Sequence, residues 1–259
     1  MRSLGLSLAD FKQLASLSLS SNRVLRAGGL DLFEAEGYRW VCAEFAEDPN
    51  HRRTAIQSAM RLAHPEEVVL PNHAAMVEAS EFATVRRVLD LGLGGAACYR
   101  ALKHRLPGVS YTAVEYDPAM LSLARDYLAL PADFPVVLED ALRWVDRDRG
   151  TYDLVLCDLF SGEEAPEALA EPDFYRALAA RLEPGGVAAI NCLPESNESL
   201  LAVSQLLCEI FAGVAIASFV DLGNIVFYLR HFPFRQSIHA DSTNAVNTQS
   251  SSTRTQILR

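Results

Sequence analysis

The sequence predicts an α/β fold: a parallel sheet of about seven strands, Rossmann-like, covered by helices and preceded by a small N-terminal β extension. Three observations predict it. The apolar run Val88-Leu89-Asp90-Leu91 ends in the glycine-rich turn Gly92-Leu93-Gly94-Gly95-Ala96-Ala97 and leads straight into a helical pattern. From about 85 to 232, apolar runs of strand length alternate with helical spacing. Residues 1 to about 80 lack that rhythm and are broken by Gly28-Gly29 and Glu36-Gly37 into short segments.

Taken in chain order, Gly28-Gly29 and Glu36-Gly37 punctuate Leu30–Ala35 and Tyr38–Phe45, which read as antiparallel strands. Residues 57–62 and 74–82 read as helical. Strands come next at 88–91, 109–115, 136–138 and 154–157, with helices starting near Ala97, Pro118, Pro172 and Ser196. Met120, Leu121, Ala124, Tyr127 and Leu128 fall at helical spacing and are expected to cover the sheet. Residues 214–220 and 225–229, joined by Asp221-Leu222-Gly223-Asn224, read as a hairpin that puts an antiparallel strand at the end of the sheet. The segment 236–259 is rich in Ser, Thr, Asn and Gln, and buries too little apolar surface to offset its ordering entropy, so disorder is expected there. The expected division is an extension over 1–82, a nucleoside-binding domain over 83–235 and the polar tail over 236–259.

Half of the 259 residues are apolar, ample for a buried core. The net charge of −10 argues against nucleic acid as a partner, because phosphate binding needs a basic surface, and it suits a cationic substrate. The five cysteines form no C-x-x-C pair and support neither a zinc site nor a disulfide framework; they read as small buried hydrophobes of a reducing, cytoplasmic setting. The N-terminal Leu4, Leu6 and Leu8 sit among polar residues, unlike a secretion signal. No uncharged apolar run reaches the roughly 18 residues of a membrane helix, so no membrane partner is expected.

Gly92 and Gly94 let the backbone adopt angles closed to other residues and bring its N–H groups close to a ligand, with the positive end of the next helix aimed at the same place. Gly92-x-Gly94-x-x-Ala97 also satisfies the dinucleotide fingerprint. The acids further along the chain narrow the reading. Successive strands end in Glu115, placed for a ribose diol; in Glu139-Asp140-Ala141, placed for an adenine amino group; and in Asp158. That ordered set suits a sulfonium nucleoside, which has no pyrophosphate, and therefore a class I S-adenosylmethionine-dependent methyltransferase fold. Asp90 leans towards an amine-bearing tail, or else holds the turn. Asn191 either faces the site or terminates the strand or caps the next helix, and His73 is either a substrate contact or base, or a surface or loop residue. Phe160 and Tyr99 either line the pocket or pack. The histidines show no metal-ligand spacing, so no metal is assigned.

The ordered segments 55–60 (AIQSAM), 70–76 (LPNHAAM), 88–97, 113–118 (AVEYDP), 139–141 (EDA) and 152–158 (YDLVLCD) resemble the spermidine synthase family of polyamine aminopropyltransferases, particularly its shorter bacterial members, over roughly 25–230. The resemblance implies decarboxylated S-adenosylmethionine, or S-adenosylmethionine itself, as co-substrate and an amine as acceptor. It implies ribose binding by Glu115, adenine contact by Asp140, cofactor contact by Gln57, catalysis by Asp158 and a possible homodimer; with Asp90, Gly92, Gly94 and Gly95 of the turn and Ala141 beside Asp140, these make the expected cofactor-binding set. The chain departs from the family where a D-x-x-D pattern is expected: it reads Asp158-Leu159-Phe160-Ser161, so the second acid is missing. The Tyr and Glu of the family's entry helix are also absent from Asn72 to Ala75. Glu163, Glu164 and Glu167 either substitute for that charge or form a solvated loop. These departures keep open a methyltransferase acting on a non-polyamine acceptor and a catalytically silent nucleoside-binding protein.

Overall fold

In the computed structural model the described residues are 14, 23–45, 53–159, 171–219, 223–234 and 253–258. Strands β1 (Arg23–Ala27), β2 (Leu30–Ala35), β3 (Tyr38–Phe45) and β4 (Arg53–Arg61) form an antiparallel sheet in that order. Its tight turns arise from local chemistry. Gly28 and Gly29 have φ of +57° and +82°, and Glu36 and Gly37 have +50° and +82°, the left-handed pairs that a two-residue hairpin turn requires. The helix expected over 57–62 is not formed: residues 57–61 belong to β4 and Leu62 follows it as a bend. The residues of β4 pair across the sheet, Trp40 with Ala59 and Val41 with Ser58, and this pairing overrides the local helical spacing.

Helix α1 (Pro71–Glu78) and a 3₁₀ turn (Ala79–Phe82) lead to the second sheet. There β5 (Arg87–Leu91), α2 (Ala97–Arg105), β6 (Ser110–Glu115), α3 (Pro118–Tyr127), β7 (Val136–Leu138), α4 (Ala141–Arg147) and β8 (Tyr152–Cys157) alternate, and α5 (Pro172–Arg181), β9 (Leu182–Cys192), α6 (Asn197–Ile210), β10 (Gly213–Phe219), β11 (Ile225–Arg230) and β12 (Thr253–Ile257) complete the chain order. The strand order is β12-β10-β11-β9-β8-β5-β6-β7, parallel from β7 to β9 and antiparallel in each pairing beyond. The chain winds outward from β5 through β6 to β7, then returns to β8 on the other side of β5. That reversal opens a crevice at the carboxyl ends of the strands, the usual place for a ligand in such sheets.

The hairpin near the C-terminus is observed as β10 and β11. The tail reading is corrected at its end: Thr253–Ile257 is an eighth strand, whose backbone pairs with β10 despite its polar composition. Residues 235–252 lie outside the described set, as do Leu4, Leu6 and Leu8.

The core has two faces and an annex. One face, with Met76, Leu102, Tyr111, Leu154 and Val226, lies beneath α1 and α2. The other, with Leu89, Val155, Tyr175, Phe211 and Phe227, lies beneath α4, α5 and α6. Helix α3 divides its apolar residues: Leu121 and Ala124 join the first face, whereas Met120, Leu123 and Leu128 pack against Leu32, Val41 and Met60 of the antiparallel sheet. Thus α3 holds the two sheets together. Among the described residues no helix is long and apolar enough to cross a membrane.

Candidate active site

The turn after β5 uses its glycines for three different reasons. Gly92, at φ +90°, stands where a Cβ would collide with the carbonyl oxygen of Asp158, so the ends of β5 and β8 nearly touch. Gly94, at φ +53°, faces open space and needs only the left-handed backbone. A Cβ on Gly95 would strike the Ser58 hydroxyl of β4, which brings the antiparallel sheet against the turn. Ala96 then enters α2 at φ +60°, an uncommon conformation for a residue with a side chain. Buried Arg100 fastens this turn from behind: its Nη1 donates to the carbonyls of Gly95 and Leu128, both at 2.6 Å, and its Nε to Pro65 at 2.7 Å. Burial lowers its pKa to about 10, which leaves it charged at neutral pH.

Glu115 closes the end of β6. Its Oε2 accepts the Gly94 N–H at 2.8 Å, and its Oε1 accepts those of Tyr116 and Asp117 at 2.8 and 2.9 Å. Burial raises its pKa, and these three bonds pull against the rise. Asp90, only 2% exposed, accepts a hydrogen bond from the Tyr111 hydroxyl at 2.6 Å. Burial pushes its carboxyl up to about 7; Tyr111 opposes that push, and the charges of Asp158 and Glu115 add to it.

Asp158 comes directly after β8, its N–H bonded to Leu91 of β5 at 2.9 Å. Both carboxylate oxygens are held. His73 Nε2 of α1 lies 3.0 Å from Oδ2, and Asn191 Nδ2 at the end of β9 donates to Oδ1 at 2.8 Å. Asn191 Oδ1 in turn accepts from Asn224 Nδ2 at 3.1 Å. His73 is therefore not a loop residue and Asn191 does not cap the next helix, which Ser196 does: both are buried and face Asp158. Sequence alone could not assign them because their partner lies 85 and 33 residues away. Tyr111 and Asn224 carried no sequence signal of their own. Tyr99 packs on Phe134 and Tyr111 with ring centroids 4.5 and 5.1 Å apart, as a core aromatic.

Asp90, Glu115 and Asp158 thus converge at the switch point of the sheet. Among the described residues no lysine or arginine pairs with any of them, and His73 is the one basic group bonded to the set. Such an arrangement favours a cationic ligand over an anionic one.

A family model described as a methyltransferase domain matches residues 88–186, the stretch from β5 to the start of β9. A polyamine aminopropyltransferase of Neisseria meningitidis is 32% identical over 141 residues, which make up 52% of this chain and 54% of that protein. One from Chromobacterium violaceum is 31% identical over 182 residues, 67% of this chain and 69% of that protein. The chain belongs to the polyamine aminopropyltransferase family. It spans about half the length of the Neisseria aminopropyltransferase. The crystal structure of a probable spermidine synthase from Corynebacterium glutamicum shares the fold, with a TM-score of 0.65, 19% identity and 84% of each chain covered.

The remaining expected site residues of this aminopropyltransferase-family chain lie on β4 and between β7 and α4. Gln57 is the extra residue of a β-bulge in β4, where Ile56 and Ser58 face Cys42 and Val41 on β3; bulges commonly re-aim a side chain beside a site. Asp140 is exposed, and its Oδ1 caps α4 by accepting the N–H groups of Leu142 and Arg143 at 2.8 and 3.2 Å, with Ala141 as the first helical residue. Two apolar side chains stand exposed beside these acids, Tyr116 at 63% and Leu138 at 53%. Phe160, Ser161, Glu163, Glu164 and Glu167 lie outside the described residues.

Proposed function

We propose that the chain is a transferase that binds decarboxylated S-adenosylmethionine at the crevice and passes its aminopropyl group to a small amine. The observation that carries this reading is the cluster Asp90, Glu115 and Asp158 with no lysine or arginine partner among the described residues, an environment suited to a sulfonium and an ammonium. In this reading Glu115 holds the ribose, and Asp140 uses its non-capping oxygen for the adenine amino group. Tyr116 and Leu138 cover the faces of the base, and Gln57 contributes from the bulge. Asp90 takes the tail ammonium. Asp158 orients the acceptor amine and receives its proton. The bond from nitrogen to the aminopropyl carbon forms as that carbon's bond to sulfur breaks, and the sulfur pair leaves with the nucleoside as neutral methylthioadenosine. Holding nucleophile and carbon in line supplies much of the acceleration.

A second reading, methyl transfer from S-adenosylmethionine to another acceptor, is favoured by Ser161 in place of the family's second acid and by the match to a methyltransferase domain. Calorimetric titration with S-adenosylmethionine, its decarboxylated form and methylthioadenosine separates the two. Aminopropyl transfer requires preference for the latter pair, and tighter binding of S-adenosylmethionine shifts the assignment to methyl transfer. In the same assay Glu115→Gln should weaken methylthioadenosine binding at least about tenfold, the usual worth of a charge-assisted hydrogen bond to a hydroxyl. Unchanged affinity would remove Glu115 from the ribose site.

A further inference from the structure

We propose that Asn191, at the end of β9, and Asn224, on the β10–β11 hairpin, are positioning residues, which set the orientation of the Asp158 carboxylate and so tune the site for an acceptor that brings N–H donors. The proposal rests on the proposed role of Asp158 as the group that meets the acceptor amine, and adds residues to it. A carboxylate can only accept, so the contact with Asp158 Oδ1 fixes which way the Asn191 amide faces: its Nδ2 donates at 2.8 Å and its Oδ1 is left as an acceptor. Asn224 Nδ2 meets that acceptor at 3.1 Å. Every donor in this relay therefore points towards Asp158.

Asn191 is 2% exposed, so a reversed or unpaired amide there would be costly. Asn224 leads into the second arm of the hairpin, immediately after Gly223 at φ +72°. With Asn191 on Oδ1 and His73 on Oδ2, the carboxylate cannot rotate freely, and each oxygen keeps lone-pair capacity for the crevice. An ammonium or amine supplies the donors that capacity needs, whereas an anionic acceptor would meet only repulsion.

The directionality of the relay gives the test. Asn224→Ala leaves Asn191 Oδ1 unpaired. Asn224→Asp instead puts an acceptor opposite it, so the Asn191 amide, now between two carboxylates, no longer has a fixed face and presents oxygen to Asp158 for part of the time. Transfer should therefore fall about threefold in the alanine variant and at least about tenfold in the aspartate variant, in kcat, with methylthioadenosine affinity within about twofold of wild type. Equal kcat in the two variants would overturn the proposal, since simple packing does not distinguish them in this direction.

A second readout needs no turnover. The side-chain amide resonance of Asn191, assigned by its loss in Asn191→Ser, should exchange with solvent faster and change shift in Asn224→Ala. An unaltered Asn191 amide overturns the proposal whatever the kinetics show. If the amide responds and the wild-type protein transfers nothing to any amine, the proposed function fails while the positioning role stands. If Asn224→Asp does not fold, the alanine variant and the amide readout still decide.

Discussion

Asp158→Asn is expected to lower transfer about a thousandfold while methylthioadenosine affinity changes less than about threefold, within the range for losing a general base. Asparagine keeps the volume of the side chain but offers only one acceptor oxygen to the two donors that meet there, Asn191 Nδ2 and His73 Nε2. Asp158→Ala would be the less informative change, because it leaves both buried partners without bonds and mixes lost stability with lost chemistry. Steady-state rates and calorimetric affinities on the same preparations check the expectation. Turnover above a tenth of wild type would take Asp158 out of the proton transfer.

Asp90→Asn should stabilise the free protein in a pH-dependent way. The carboxyl titrates near 7 in the folded chain, against about 3.9 for an unfolded aspartate, so the folded state binds the extra proton between those values. Stability from this group is therefore lost as pH rises through that window, and above about pH 7 the folded chain carries an unfavourable buried charge. Asparagine removes that cost. At pH 8 the gain should be on the order of 2–4 kcal/mol, about 5–15 °C in Tm, shrinking towards zero near pH 4. A Tm difference that does not vary between pH 5 and 8 would contradict the assignment. On the proposed reading the same variant also binds a cationic tail less well, so the charge that weakens the empty fold serves its ligand.

The sequence disclosed what depends on neighbours along the chain. Gly28-Gly29 and Glu36-Gly37 marked β2 and β3 to the residue because left-handed turns advertise themselves. Glu115 and Asp158 were visible as acids closing apolar runs. Features set by distant partners stayed hidden. Residues 57–62 have helical spacing that the pairing with β3 overrides, and the bulge at Gln57 exists only in that pairing. His73 and Asn191 could not be told from loop and cap residues without Asp158 between them. Asp140, expected at the base, is observed as a helix cap through one oxygen, which leaves its other oxygen for the proposed role.

The short strand Thr253–Ile257 occupies the outermost place in the sheet, and its consequence concerns solubility as much as architecture. Without it, β10 would offer a seven-residue, mostly buried and apolar run with unpaired backbone groups, a template for another copy of the chain to extend. With it, the outermost strand among the described residues is five residues long and reads Thr-Arg-Thr-Gln-Ile, four of them polar or charged, a composition poorly suited to further addition. The polar composition that made this segment look unfit for folding is what suits it to be the last strand.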